Sequence, residues 1–231
     1  MKLPYLRSPF LALAILFMAP EIGIAGQQKI KVGAEKIILP IPNSYCIMDN
    51  SKITDGRIIS NLENASDIHD LLSVMAPCSE LERWRNSEQE TLDNMLSVQN
   101  LTTAKFLNSN EKEISFYNNY CNENAALNNS DKENIISNAA EELKSVAEIT
   151  VNNSTILGII ERDDNRCYVG ILQRLITPSG KVKAISTIYA PQIIKGKVVL
   201  NYLVAPFKSK HSMDEQILWL KTYILQQREV N

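Results

Sequence analysis

The sequence predicts an α+β fold, in which helices pack on an antiparallel sheet. Residues 156–204 contain four apolar segments separated by short polar turns, and in three of these segments the side chains alternate as they do in strands. Turns this short fit antiparallel neighbours, because parallel strands need long crossover connections. After Pro206, apolar residues recur at helical spacing from Met213 to Ile224. We expect this helix to cover the apolar face of the sheet.

Residues 1–25 have the pattern of a secretory signal peptide. Lys2 and Arg7 precede an apolar segment, and Gly23-Ile24-Ala25 forms a small-x-small cleavage site. Cleavage after Ala25 leaves residues 26–231 as a single α+β domain, which is periplasmic or secreted. The alternative is an uncleaved N-terminal anchor, but the apolar segment is too short to span a bilayer comfortably. No later segment is long and apolar enough to span a membrane.

The next elements alternate between strands and helices. One strand is expected to end in a rigid loop at Pro40 and Pro42, and this loop carries Cys46. A helical spacing at residues 58–65 precedes a buried strand at residues 71–76. The segment 87–107 is ambiguous between helix and strand. These elements belong to the same domain as the sheet.

Capping signals mark three helix starts, and one more helix follows from apolar spacing. Ser79 with Glu82, Ser130 with Glu133, and Ser212 with Glu215 have the spacing of a capping box. Two helices are expected at residues 114–125 and 130–147, and the first of them carries Cys121 on its apolar side.

Four cysteines remain in the mature chain, and an even number in an exported protein predicts two disulfides. They are Cys46, Cys78, Cys121 and Cys167. Of the three pairings, we favour Cys46–Cys78 with Cys121–Cys167, because these close the shortest loops without crossing. Each bridge contributes about 3–4 kcal/mol in the chain-entropy model. The alternative, a zinc site, lacks a C-x-x-C pair, and neither histidine lies near a cysteine in the sequence.

No pattern of residues predicts a catalytic centre, a metal site or a cofactor. The chain has two histidines, His69 and His211, and no G-x-S-x-G nucleophile motif. Ser179-Gly180-Lys181 lies between two strands, which favours a hairpin turn over a phosphate loop. Asp163-Asp164-Asn165 lacks the glycine and the distal glutamate of a calcium loop, and we interpret it as a turn. A formal net charge of −2 offers no electrostatic basis for nucleic-acid binding.

Trp84 and Arg85 are the candidate interaction residues. Tryptophan and arginine often anchor protein interfaces. The alternative, which we favour, is that Trp84 packs beside the Cys46–Cys78 bridge.

Three segments carry a resemblance to a known family. They are LPIPNSYC (Leu39–Cys46), CSELERWR (Cys78–Arg85), and GKVVLNYLVAPF (Gly196–Phe207) with the helix that follows it. In these segments the chain resembles a family of uncharacterised exported proteins from alphaproteobacteria, over most of the mature chain. That family has no assigned activity to carry onto residues here. The strand meander with its closing helix is also similar to the PsbP-like α/β/α sandwich, a fold of non-enzymatic extrinsic subunits.

Two functional hypotheses follow. The first is an exported non-enzymatic module that binds a protein partner or an envelope component, since no site motif is visible. The alternative is a small exported hydrolase or a small-molecule carrier, with a cleft between the sheet and the helices. The alternative needs converging polar groups in that cleft, with perturbed carboxylates such as Glu161 or Glu141 nearby.

Overall fold

The computed structural model describes residues 23–64, 67–104, 107, 109–125, 150–163 and 166–231. These residues form nine strands and four helices. The strands are β1 (Ile24–Val32), β2 (Glu35–Pro42), β3 (Tyr45–Ile47), β4 (His69–Pro77), β5 (Met95–Leu101), β6 (Thr150–Arg162), β7 (Cys167–Ile176), β8 (Val182–Ile194) and β9 (Lys197–Pro206). The helices are α1 (Ile53–Asn64), α2 (Cys78–Arg85), α3 (Asn110–Ala125) and α4 (Lys210–Glu229).

The fold is α+β, and its centre is a seven-stranded antiparallel sheet in the order β3-β4-β5-β9-β8-β7-β6. Strands β6 to β9 follow one another as an antiparallel meander, which confirms the prediction for this half of the chain. Between β8 and β9, Lys195 and Gly196 both have positive φ angles, 48° and 73°. Two successive positive φ angles give the tight turn whose twist matches that of the flanking strands.

Helix α4 covers one face of the sheet. Its buried Leu220 and Ile224 pack with Ile188 and Leu203 of the sheet. The β1–β2 hairpin extends this layer, because its Ile37 and Leu39 lie in a cluster shared with Tyr223 of α4.

The opposite face carries the other three helices. Leu81 of α2 and Ile58 of α1 pack on Val74 of β4. Successive side chains of a strand point to opposite faces: Ile188 of β8 packs against α4, and the neighbouring Tyr189 donates a hydrogen bond to Asn124 of α3 at 3.2 Å. The molecule therefore has three layers, with the sheet in the middle.

The start of the domain differs from the prediction. Instead of one strand and a rigid loop, β1 and β2 form a hairpin, and Cys46 lies in the short strand β3. Gly33, at φ 63°, makes the tight turn. Pro40 and Pro42 are tolerated within β2 because this strand pairs with β1 alone, so the missing N–H groups interrupt no ladder in the middle of a sheet.

The two capping boxes predicted within the described residues are wrong, and the one at Ser130 and Glu133 lies outside those residues. The N-cap of α2 is Pro77, which makes no side-chain hydrogen bond, and the helix starts at Cys78. The box of α4 is formed by Ser209 and Ser212, whose hydroxyls bond reciprocally to each other's backbone N–H. A serine at the third position can therefore take the role that the pattern reserves for glutamate.

The remaining expectations divide between tested and untested segments. The ambiguous segment contains strand β5, and α3 includes the predicted span 114–125 but starts earlier, at Asn110, with Cys121 buried. Most of the signal peptide (1–22) and the expected helix at 130–147 lie outside the described residues; cleavage after Ala25 stays a prediction. In the described part of the chain, no helix combines the length and the apolar character needed to cross a membrane.

Candidate functional site

Strand β8 is longer at one end than its neighbour β7, and this difference opens a cleft. The ladder between the two strands stops at the pair Val169–Tyr189, while β8 continues to Ile194. The N–H of Ile193 has no β7 partner and donates to the hydroxyl of Tyr117 in α3, at 3.0 Å. A helix side chain thus replaces the missing strand, and the space beside it stays open.

We call this opening the end cleft. It has a volume of about 300 Å³ and lies between the first half of α3, the end of β8, the start of β7 and the last turn of α4. It is lined by three charged side chains, two amides and three side chains that offer apolar surface: Glu113, Arg166, Arg228, Asn110, Gln192, Ile114, Tyr117 and Ile193.

Arg166 is held in place by a turn and by an aromatic ring. Its backbone N–H donates to the carboxylate of Asp163, and the N–H of Asp163 donates back to the carbonyl of Arg166, both at 3.0 Å. Its guanidinium carbon lies 5.7 Å from the centroid of the Tyr117 ring, within the range of a cation–π contact. Despite this fixed position, the buried Nε of Arg166 has no hydrogen-bond partner among the described residues.

Gln192 presents the complementary group. Its side chain is 1% exposed, and its Oε1 accepts no hydrogen bond within the described part of the chain. Its Nε2 makes one long bond, 3.3 Å, to the carbonyl of Ile193. The cleft wall therefore contains one buried donor, Arg166 Nε, and one buried acceptor, Gln192 Oε1, and neither is paired with another described residue.

A buried group of amides continues from Gln192 beneath the end of α4. We call the four residues Asn100, Gln192, Asn201 and Gln227 the amide cluster. Asn100 and Gln192 both pair across the ladder with Val199, so they share one row of the sheet, and Asn201 lies on the same face. Gln227 donates to Asn201 at 2.7 Å, but Asn100 Oδ1, Asn201 Nδ2 and Gln227 Oε1 have no partner in the described ranges. Buried polar atoms of this kind pair with ordered water or with a ligand.

The structure joins Cys121 to Cys167 and Cys46 to Cys78, the pairing favoured from the sequence. Cys167 directly follows Arg166, and Cys121 lies one helical turn after Tyr117. This bridge therefore ties the two walls of the end cleft together. The Cys46–Cys78 bridge instead joins β3 to the start of α2, at the other side of the sheet.

Trp84 and Arg85 lie with this second bridge. Half-buried Trp84 packs in the cluster that includes Cys46, as the packing alternative predicts. Arg85 donates to both carboxylate oxygens of the fully buried Asp55, with Nε at 2.9 Å from Oδ1. Burial alone raises the pKa of the Asp55 carboxyl, but the hydrogen bonds from Arg85 and from the N–H of Asp49 outweigh it, so this pKa lies below its ordinary value.

The other candidate residues do not converge. His69 lies in β4. The exposed His211 lies in the first turn of α4, with its Nε2 3.3 Å from Oε1 of Glu215. Glu161 forms an ion pair with Lys221. No group of three or more histidine, cysteine, aspartate or glutamate side chains suited to a metal occurs in the residues that the structure describes. Glu141, Asp164 and Asn165 lie outside those residues.

A second groove, of about 500 Å³, follows residues 157–162 of β6 beside Asn124 and Ala125. Residues 126–149, which come next in the chain, lie outside the described residues. We therefore assign no site there.

No family model and no curated protein sequence matches the chain. Among solved structures, it is similar to the Ran-binding protein Mog1p of Saccharomyces cerevisiae, at 10% identity over 89% of this chain and 93% of that one, with a TM-score of 0.31. It is also similar to the cyanobacterial PsbP (CyanoP) of Synechocystis sp. PCC 6803, at 12% identity over 85% and 89%, with a TM-score of 0.35. TM-scores this low carry no argument about function. The α/β/α description of this chain therefore rests on the three layers seen in its own structure.

Proposed function

We propose that the protein is an exported, non-enzymatic binding module whose site is the end cleft. The observation that carries this proposal is a pair of buried atoms in the cleft wall, Arg166 Nε and Gln192 Oε1, which have no partner among the residues that the structure describes. A buried polar atom that no protein group pairs is satisfied by ordered water or by a ligand. A bound partner that pairs with both atoms takes the place of that water, so these two atoms favour binding.

The chemistry of the lining suits binding more than proton transfer. Burial raises the pKa of the Tyr117 hydroxyl, and the nearby charge of Arg166 opposes this only in part, so the group remains neutral at ordinary pH. Arginine stays protonated, and amides do not titrate. Tyr117, the two arginines and the amides therefore donate and accept hydrogen bonds without exchanging protons with a substrate, and Glu113 is the single carboxylate among the described lining residues.

Two features support export. Disulfides persist in oxidising compartments such as the periplasm, and the structure contains two of them. The N-terminal pattern adds an independent reason from the sequence.

A small-molecule carrier is the second candidate, and the size of the cleft favours it. A volume of about 300 Å³ lies at the lower end of the range of small-ligand pockets. The same volume also accommodates one residue of a partner protein. The two candidates therefore differ in the size of the occupant and share the site.

Site-specific photocrosslinking in the envelope of living cells tests the proposal. Ile114, 52% exposed at the rim of the cleft, is replaced by photoreactive p-benzoyl-phenylalanine, and Ile53, 79% exposed on α1, is the matched control position. We expect a discrete adduct from position 114 and none from position 53. The adduct must also disappear in the Gln192→Leu background, because that change removes the buried acceptor.

Adduct mass separates the two candidates: a protein-sized adduct indicates a protein partner, and an adduct of a few hundred daltons indicates a carrier. Equal adducts from both positions, or an adduct that survives Gln192→Leu, overturn the proposal.

A further inference from the structure

The charges of the end cleft restrict its ligand more than its shape does. Arg166 and Arg228 contribute two positive charges and Glu113 one negative charge. No ion pair joins Glu113 to either arginine within the described ranges, and neither arginine forms an ion pair with another carboxylate there. The lining therefore carries a net positive charge in a chain whose formal net charge is −2.

From this arrangement, and resting on the proposed function, we infer that the end cleft binds a carboxylate that has an N–H donor close beside it. The C-terminal residue of a peptide and a free amino acid both have this chemistry. A planar guanidinium matches a carboxylate geometrically and forms strong charge-assisted hydrogen bonds with it. Arg166 Nε, which is buried and has no partner in the described ranges, is one donor for that carboxylate.

Gln192 favours a ligand that carries a donor as well as an anion. Its buried Oε1 is an acceptor, so it needs a donor from the ligand. An anion that offers acceptor oxygens alone, such as sulfate, would pair with Arg166 and leave Gln192 Oε1 unpaired. The N–H next to a terminal carboxylate can supply the missing donor while the carboxylate remains on the arginine.

The size and the remaining lining fit one amino-acid residue. The cleft volume of about 300 Å³ lies at the lower end of the range of small-ligand pockets, which suits a ligand as small as one amino-acid residue. Ile114 and the ring of Tyr117 offer apolar surface for a side chain. Glu113 would affect a free amino acid and a peptide end differently. Its carboxylate can pair with the ammonium group of a free amino acid, whereas the corresponding amide of a peptide is neutral.

NMR titration of the ¹⁵N-labelled mature chain tests the inference with three probes: tetra-alanine with a free C-terminal carboxylate, the same peptide ending in a carboxamide, and free alanine. The readouts are the Nε–H signal of Arg166 and the side-chain amide signal of Gln192. We expect a carboxylate probe to shift both signals. We expect the carboxamide to bind more weakly by a factor of about ten or greater, given the strength of charged hydrogen bonds. Binding of tetra-alanine alone identifies a peptide end, and binding of alanine alone identifies a free amino acid.

Variants show whether the named atoms bind the probe. Arg166→Gln and Gln192→Leu should each weaken binding about tenfold, whereas Arg174→Gln, which changes an exposed arginine of β7 outside the cleft, should leave it unchanged. The inference is overturned if the carboxamide binds as tightly as the carboxylate, or if no probe shifts these signals at millimolar concentration. Either of those results could occur together with a crosslinked adduct at position 114 that depends on Gln192. In that case the proposal of a binding module would stand, and only the carboxylate ligand would be rejected.

Discussion

Two regions of the molecule are built alike, each with a disulfide beside a partly buried arginine, and they differ in how the polar groups are paired. Next to Cys46–Cys78, Arg85 meets the carboxylate of Asp55, which also accepts a hydrogen bond from the N–H of Asp49 at 2.8 Å. Next to Cys121–Cys167, Arg166 Nε has no partner in the described part of the chain. A donor atom that is paired within the chain is not available to a ligand, whereas an unpaired donor in a cleft wall is.

In the first region, the buried carboxylate of Glu80 is also paired by hydrogen bonds from within the chain. Its carboxylate is 6% exposed and accepts hydrogen bonds from the backbone N–H groups of Asp93 and Asn94, and from the side-chain amides of Gln89 and Asn94. One carboxylate thereby holds the loop between α2 and β5. Gln192, which is as deeply buried, makes one long hydrogen bond, and its oxygen has no partner among the described residues. The contrast therefore concerns pairing, since both groups are equally removed from water.

The largest expected effect is the loss of the Arg85–Asp55 pair. In Arg85→Ala, the carboxylate of fully buried Asp55 loses its charged partner, and we expect the free energy of unfolding to fall by about 3–5 kcal/mol. Urea denaturation followed by circular dichroism measures this. Arg83→Ala, at an exposed position of the same helix, is the control and should change stability little. A loss for Arg85→Ala no larger than for the control would mean that the pair contributes nothing to the fold.

The two disulfides should have similar effects on stability and different effects on binding. They close loops of 32 and 46 residues, so the chain-entropy model predicts a loss of about 3–4 kcal/mol for either. Replacing both Cys121 and Cys167 by serine should also abolish probe binding at the end cleft, because the two walls are no longer tied. The Cys46→Ser, Cys78→Ser variant should bind the probe normally under conditions where it is folded. Equal binding by both double variants would contradict this division of roles.

A smaller effect of opposite sign is expected at the cleft. Gln192→Leu replaces an unpaired buried amide by an apolar side chain of similar size, so we expect the free energy of unfolding to rise by about 1–2 kcal/mol. The same change should weaken ligand binding, a trade-off typical of functional sites. Thermal unfolding and probe titration on one sample measure both. A variant that is less stable than the parent would show that Gln192 supports the fold instead of a ligand.

The sequence predicts the parts of the fold that depend on local patterns. The β6–β9 meander and α4 follow from alternation, short turns and helical spacing, all of which act over a few residues. The β1–β2 hairpin is missed because prolines suggest the end of a strand, and only the topology shows that β2 pairs on one side. The end cleft depends on the unequal ends of β7 and β8, which no local pattern contains. The sequence offers one local indication of the cleft: amide side chains, Gln192 and Asn201, occupy inward positions of otherwise apolar strands.

The smallest expected effect is a pH dependence confined to the paired region. Because the pKa of Asp55 is lower in the folded chain than in the unfolded chain, protonation favours unfolding. This contribution to stability is complete above the unfolded pKa, near 4, and is lost as the pH falls through the lower, folded value. Urea unfolding at several pH values between neutral and strongly acidic should show a steep acid decline, and Asp55→Asn should be less stable at neutral pH but decline less steeply. Parallel declines for the two proteins would mean that other carboxylates cause the acid sensitivity. A difference between them would assign it to the Arg85–Asp55 pair, which has no counterpart at the end cleft among the described residues.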